Sequence, residues 1–233
     1  MPNRYFQPGS QRPRKVQALF DLVASRYDLL NDLLSLGLHR RWKQRMVRQA
    51  EVGPGACALD VCCGTGDVSL ALASTGAAIV GLDFSQPMLD VAQRRLQQRQ
   101  NSPTPAFRTS INFVRGDALR LPFPGNTFDA VTISYGLRNL ASVDDGLAEM
   151  WRVTKAGGRL VVLDFGKPKN RLWRWFYTAH LRRVVPCLGW LSGGGPEAYA
   201  YILTSLEHYP AQEGVAAVLR RLPLVNVSVT DLL

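Results

Sequence analysis

The sequence predicts an α/β protein: a parallel, doubly wound sheet with helices on both faces. Three observations carry this. Between residues 56 and 166, short apolar runs alternate with helical patterns, the order of β–α units rather than of hairpins. The first run leads into a glycine loop, "LDVCCGTGDVS" (59–69), which opens the next helix. Carboxylates, Asp60, Asp83 and Asp117, fall in or at the ends of the first three runs, at the edge where such sheets bind ligands.

The elements follow in order. Residues 1–15 read as a loose basic arm. In residues 16–50, Leu19, Val23, Tyr27, Leu30, Leu33 and Leu34 recur at helical spacing, which predicts two or three helices broken near Ser35–Gly37. "VGPG" (52–55) punctuates the chain. "ACALDVCC" is the first strand, residues 67–75 a helix and "AAIVGLDF" the second strand. "QPMLDVAQRRLQQRQ" is a helix, with Ser85 as its N-cap and Pro87 in its first turn. "NSPTPAFRTS" is a loop, "INFVRGD" the third strand and "FDAVTISYG" the fourth. "SVDDGLAEMWRVT" is a helix capped by Ser142, with Asp144 and Asp145 near its positive end. "KAGG" turns the chain into a fifth strand, "RLVVLDFG".

After Lys167 the pattern changes. "RLWRWFYTAHLRRVVPCLGWL" mixes arginines with Trp173, Trp175, Phe176, Tyr177 and Trp190. "PEAYAYILTSLEHYP" and "EGVAAVLRRL" read as helices, and "LVNVSVTDLL" as a final strand. The predicted organisation is an N-terminal arm and helical cap (1–50), an α/β core (51–169), and a helical lid with the last sheet elements (170–233), in one folding domain.

Composition sets bounds. The chain has 233 residues, 46% hydrophobic and 20% charged, enough for one sizeable core. Its formal net charge of +10 suits an anionic partner: nucleic acid, a membrane surface or an acidic ligand. The first residues contain no apolar stretch of the signal-peptide kind, and no run is long enough to predict a membrane-spanning helix. The expected place is the cytoplasm, with peripheral contact on a membrane surface. The four cysteines, Cys57, Cys62, Cys63 and Cys187, form no C-x-x-C pair, so they read as buried packing rather than zinc or redox chemistry, and no metal site is expected.

The glycine loop points to a cofactor. Gly64 and Gly66 permit a tight turn and close backbone approach, but Ser69 stands where a dinucleotide loop has its third glycine. D-x-x-x-G-x-G, from Asp60 to Gly66, is instead typical of enzymes that use S-adenosyl-L-methionine (AdoMet), which has no pyrophosphate to cradle. Its sulfonium and ammonium groups suit nearby carboxylates. Asp83, 17 residues after Gly66, suits the ribose hydroxyls, and Asp117 the adenine amino group.

Four stretches resemble one family. "FDLVASRYDLLNDLLSLGLHRRWK", "LDVCCGTGDVS", "GDALRLPFPGNTFDAVTISYGLRNL" and "EMWRVTKAGGRLVVLDFGKP" are similar to the UbiE/MenG quinone-biosynthesis C-methyltransferases, class I AdoMet enzymes. The likeness covers roughly residues 16–169. "GLRN" and the "Y-D…ND…S-x-G-x-H-R-x-W" pattern separate this family from other AdoMet enzymes. The resemblance implies a seven-stranded sheet with an antiparallel last strand. It implies that Gly64 and Thr65 meet the methionine end of AdoMet, Asp83 the ribose, Asp117 and Ala118 the adenine, that Ser134 forms the pocket floor, and that Phe84 is also cofactor-binding. Two departures stand out: the adjacent Cys62 and Cys63, and a tail after "SLEHYP" that lacks the family's glycine-rich turn. The segment "VVP…AYAYILTSLEHYP" is similar to members from oxygenic phototrophs that act on 2-phytyl-1,4-naphthoquinone. Demethylmenaquinone and ubiquinone precursors are the alternatives.

The implied reaction sets its own demands. A ring carbon is a weak nucleophile, so a ring hydroxyl of the reduced quinone must push electrons to it. That needs a proton acceptor and a positive group for the oxyanion. Arg138 is the candidate for the oxyanion and Asn139 for orienting the hydroxyl. Asp28, His39 and, closing the site, Tyr27 are the cap's candidates; His180 and His208 rank lower. The lipophilic quinol must come from a membrane, where the aromatic and basic lid segment suits a headgroup boundary.

Rival classes are weaker. A nucleic-acid methyltransferase fits the charge but predicts an N-P-P-[YF] motif, and the fourth strand ends in "SYGLRN" instead. A nicotinamide oxidoreductase is disfavoured by Ser69. A non-catalytic AdoMet-binding protein rests only on the unusual tail.

Overall fold

The computed structural model describes residues 16–18, 20–21, 24, 27–35, 37–101, 110–166, 179, 205 and 209–232. The chain divides into two compact units, one of residues 40–163 and one drawn from residues up to 39 and from 164 onward.

The 40–163 unit holds the sheet. Its strands are β1 (Cys57–Val61), β2 (Ala78–Asp83), β3 (Ile111–Arg115), β4 (Phe128–Ser134) and β5 (Thr154–Leu163). They lie in the order β3-β2-β1-β4-β5, and every neighbouring pair is parallel. Parallel strands need crossovers, and the sequence supplies helices between them: α3 (Asp67–Ala73), α4 (Gln86–Gln100) and α5 (Val143–Val153). The core lies where strand side chains such as Leu59, Ile79, Phe128 and Ile133 meet Leu70, Met88 and Met150 of the helices, all fully buried. Each such side chain contributes about 1.5–3 kcal/mol of burial. This is the parallel, doubly wound arrangement predicted from the sequence. The antiparallel last strand implied by the resemblance is not among the described residues.

Local chemistry sets the element ends. Ser85 caps α4 by accepting from the Met88 N–H (3.3 Å), and Ser142 caps α5 by accepting from the Asp145 N–H (3.2 Å). Both caps match the sequence reading. "KAGG" differs from it. β5 already pairs at Thr154 opposite Phe128, and pairs again at Arg159 opposite Ala130. Residues 155–158 are therefore a bulge within a strand rather than a turn before one, with Gly157 at φ +77 supplying the left-handed step.

In the other unit, α1 (Tyr27–Ser35) ends at Gly37, whose φ of +76 and N–H bond to the Asp32 carbonyl (2.9 Å) stop the helix where the sequence broke. α2 (Leu38–Ala50) follows and runs on into the sheet unit. Near the end of the chain, α6 (Ala211–Leu219) matches the helix read at "EGVAAVLRRL". The final strand read at "LVNVSVTDLL" does not form: residues 224–232 are irregular and pair with no strand among the described residues. Alternation alone does not make a strand; Val225 is 97% exposed. The aromatic lid segment, most of the "PEAYAYILTSLEHYP" helix, His180 and His208 lie outside the described residues.

Candidate active site

All five strands point the same way, so their C-terminal ends share one edge. The chain runs from β1 outward to β2 and β3, then returns to β4 on the other side. The β1–β4 boundary is the point where the strand order reverses, and such sheets bind ligands beyond it.

The glycine loop lies at that boundary. Cys62 (φ +54), Gly64 (φ +54) and Gly66 (φ +81) all take left-handed backbone. Two glycines are what the sequence provides for this; Cys62 adopts it with a side chain. Gly66 is also short of space: a Cβ there would lie 2.9 Å from the Ala92 Cβ and 3.1 Å from the Phe113 ring. The loop is tied to β2. The Gly64 N–H donates to Asp83 Oδ2 (2.8 Å), the Ser85 N–H donates to Asp83 Oδ1 (2.9 Å), and the Cys63 N–H donates to the Leu82 carbonyl (3.0 Å). Asp83 thus sits half-buried at the strand tip, beside the loop. Phe84 beyond it is 39% exposed.

Asp60 takes a place that its spacing did not reveal. It is 1% exposed within β1, and its carboxylate accepts from Ser69 Oγ (2.6 Å) and Thr132 Oγ1 (3.0 Å). Burial pushes its pKa up to about 6, against the two hydroxyls and the charge of Lys43, which favour the ionised form. Ser69 therefore has its own work. A glycine there would leave the buried carboxylate one partner short.

A second chain of charges braces the loop from outside. Asp67, the first residue of α3, accepts from Arg95 Nη1 (2.8 Å) and from Lys43 Nζ (3.1 Å). Arg95 Nη1 also donates to the Thr65 carbonyl (3.3 Å), and Thr65 is buried. The Lys43 ammonium stands 6.0 Å from the centre of the Tyr135 ring. Lys43 was missed at the sequence level; it closes the quoted stretch "GLHRRWK", but nothing there pairs it with Asp67.

Across the boundary, β4 ends at Ser134, whose Oγ is buried without a hydrogen-bond partner. Tyr135 follows at φ +58, buried, with its N–H on the Leu163 carbonyl (2.8 Å). The "GLRN" residues form a 3₁₀ turn, Leu137–Asn139. Asn139 Nδ2 donates to the Tyr135 carbonyl (3.2 Å), and Arg138 is 8% exposed. Gly136 lets this turn touch the glycine loop: a Cβ on it would lie 2.5 Å from the Cys62 Cβ. Asp117 and Ala118 open the loop after β3. Asp117 is exposed and accepts from the Leu119 N–H at Oδ1 (2.9 Å); Ala118 is buried.

The sheet edge therefore brings together Gly64, Thr65, Gly66, Asp83, Phe84, Asp117, Ala118, Ser134, Arg138 and Asn139, with Asp60 beneath them. The cap residues belong to the other unit. Asp28 sits in the first turn of α1, where a carboxylate favours the helix dipole. Tyr27 begins the same helix, and its side chain lies outside the described residues. His39 is 2% exposed in the α1–α2 corner. The Ser35 hydroxyl donates to the Asn31 carbonyl (2.6 Å) and lies 2.9 Å from His39 Nδ1, which places a proton on that nitrogen.

The residues fit AdoMet. A buried hydroxyl without a partner lies at the end of β4, a carboxylate at the tip of β2, and a serine rather than a third glycine on α3. Comparison with known proteins decides the family. The ubiE/COQ5 methyltransferase family profile matches residues 9–232. The chain belongs to the ubiE/COQ5 methyltransferase family. As a member it is an AdoMet-dependent methyltransferase. It is 44% identical to a demethylmenaquinone methyltransferase of Renibacterium salmoninarum over 206 residues, 88% of this chain and 82% of that one. It is 37% identical to a ubiquinone/menaquinone biosynthesis C-methyltransferase of Cereibacter sphaeroides over 216 residues, 92% and 84% of the two chains. The fold is also that of a putative S-adenosyl-L-methionine-dependent methyltransferase from Methanococcus maripaludis, with a TM-score of 0.55 at 21% identity over 81% of this chain and 84% of that one.

Proposed function

We propose that this ubiE/COQ5 family member methylates a ring carbon of a reduced, prenylated 1,4-naphthoquinone of the demethylmenaquinol kind. The observation that carries the reading is the "GLRN" turn at the end of β4, in contact with the glycine loop through Gly136 and Cys62. Relatives named for demethylmenaquinone support that acceptor. The phytyl-bearing naphthoquinol expected from the sequence rested on residues 184–210, most of which lie outside the described residues, and demethylmenaquinol fits the relatives better.

In this reading Gly64 and Thr65 take the methionine end of the cofactor, Asp83 and Phe84 the ribose side, Asp117 and Ala118 the adenine, and Ser134 closes the floor. Bound AdoMet supplies an electrophilic methyl on a sulfonium. Asp60 favours that positive end from below, held by Ser69 and Thr132. Arg138 stabilises the oxyanion of the ring hydroxyl and Asn139 orients it, and Asp28 or His39 is the proton acceptor.

The acceptor's isoprenoid tail calls for a membrane surface. Among the described residues no helix is long and apolar enough to cross one. Peripheral contact is the matching mode, and α2 offers a face for it. Arg41, Arg45 and Arg48 are exposed at i, i+4, i+7, opposite the buried Met46 and Ala50. The test is incubation of the protein with methyl-labelled AdoMet and a panel of reduced demethylated quinones in anionic vesicles. Label entering demethylmenaquinol is expected; label entering none of the quinones would refute the reading.

A further inference from the structure

The loop after β3 has to hold an exposed carboxylate, Asp117, steady against a ligand. Its first turn does this in part. The Leu119 N–H bonds Asp117 Oδ1 (2.9 Å) and the Arg120 N–H bonds the Asp117 carbonyl (3.0 Å). The next residues, "LPFPGN" (121–126), contain two prolines and a glycine, so no regular ladder can hold them. The holding comes from α5.

Glu149 and Arg152 lie one turn apart on that helix and form a two-pronged pair: Arg152 Nε to Glu149 Oε1 (2.6 Å) and Nη2 to Oε2 (2.8 Å). The same guanidinium donates to the Leu121 carbonyl from Nη2 (3.1 Å) and to the Phe123 carbonyl from Nη1 (2.9 Å). Glu149 Oε2 accepts from the Leu121 N–H (2.9 Å). One ion pair thus satisfies both backbone groups of Leu121 and the carbonyl of Phe123. Mutual hydrogen bonding holds the Glu149 carboxyl below its usual range and the Arg152 guanidinium above its own. The chain beyond is tied to the helix end, through the Asn126 N–H on the Arg152 carbonyl (3.0 Å) and the Thr127 N–H on the Val153 carbonyl (2.9 Å). Leu121, and Ala118 three residues before it, are each 4% exposed, so both the pinned end and the ligand-facing end of the loop are anchored by burial. A surface ion pair at this spacing usually contributes little. This one differs because its donors and acceptors are spent on a loop rather than on water, and a lysine cannot reproduce the planar fork.

We infer that Glu149 and Arg152 are positioning residues for the cofactor's adenine, setting the loop from 117 to 123 so that Asp117 and Ala118 select the base. The inference rests on the reading that Asp117 and Ala118 face the adenine. Arg152 then acts on base selectivity without touching the ligand.

The test uses the full chain and two product-like ligands, S-adenosylhomocysteine and S-inosylhomocysteine, in which an oxo group replaces the adenine amino group. Affinities are measured for the unaltered protein, Arg152→Lys, Glu149→Gln and Asp117→Ala. For Arg152→Lys the expected result is about tenfold weaker S-adenosylhomocysteine binding with nearly unchanged S-inosylhomocysteine binding. The KM for AdoMet should rise in step, with kcat at saturation kept within about twofold. Equal weakening of both ligands, or unchanged selectivity, overturns the inference. Asp117→Ala separates the two ways of failing. If it loses selectivity while Arg152→Lys keeps it, the clamp is wrong; if it also keeps selectivity, the adenine assignment is wrong. Should Arg152→Lys not fold, Glu149→Gln, which keeps the size and one acceptor, carries the same comparison.

Discussion

On the β1–β2 side of the sheet edge the loop backbone is tied down before any ligand arrives. Asp83 holds the Gly64 and Ser85 N–H groups, and Arg95 holds the Thr65 carbonyl while sharing Asp67 with Lys43. On the β4 side the groups are buried but held differently. Ser134 Oγ has no hydrogen-bond partner, Tyr135 takes left-handed backbone, and a single 3₁₀ turn presents Arg138. In the proposed reading the first side meets the cofactor, and on the second Arg138 and Asn139 meet the acceptor while Ser134 lies under the cofactor. Substitutions on the first side should therefore act on cofactor affinity and folding, and those at Arg138 and Asn139 on turnover.

The largest effect is expected at Gly66. Valine there meets both the φ of +81 and the 2.9 Å approach to Ala92. We expect a loss of about 3 kcal/mol or more in urea unfolding, together with lost AdoMet binding. A variant that unfolds like the parent would show that the loop is not rigid.

Next comes Asp60. Its folded pKa is raised from 3.8 to about 6, so the folded state holds a proton that the unfolded state has released. The burden of the buried charge is absent below about pH 4, grows as pH rises to about 6 and then stays at about 3 kcal/mol. Asp60→Asn should remove this slope. The check is the difference in unfolding free energy between the two proteins from pH 4 to pH 7; a flat difference excludes the raised pKa.

Arg138→Ala tests the other side. Turnover should fall about a hundredfold while the Kd for AdoMet stays within about twofold. A weaker Kd with normal turnover would erase the contrast between the two sides. The smallest effect is at Asp83, where alanine should weaken AdoMet binding about tenfold, about 1.4 kcal/mol, in a calorimetric titration. Unchanged affinity would remove Asp83 from the cofactor side.

Much of this arrangement was legible in the sequence, and for local reasons. Strand and helix periods, the serine caps at Ser85 and Ser142, and the glycine loop are each encoded within a few neighbouring residues. What escaped was long-range pairing. Lys43 meets Asp67, and Arg152 meets Phe123, with no periodic signal between them. Asp60 was read as a cofactor residue from its spacing, but its hydrogen bonds to the hydroxyls of Ser69 on α3 and Thr132 on β4 were not legible there. The alternation at residues 224–232 carries the residue types of a strand, yet no strand among the described residues pairs with it.

The contact between Cys62 and Gly136 has one more consequence. The two loops share a fixed volume: what one position gains in atoms, the other must lack. A bulkier residue at 136, or an alkyl group attached to the thiol at 62, would wedge the two loops apart and disturb the seats of methyl donor and methyl acceptor together. In the proposed reading the pair is a spacer between the seats of methyl donor and methyl acceptor.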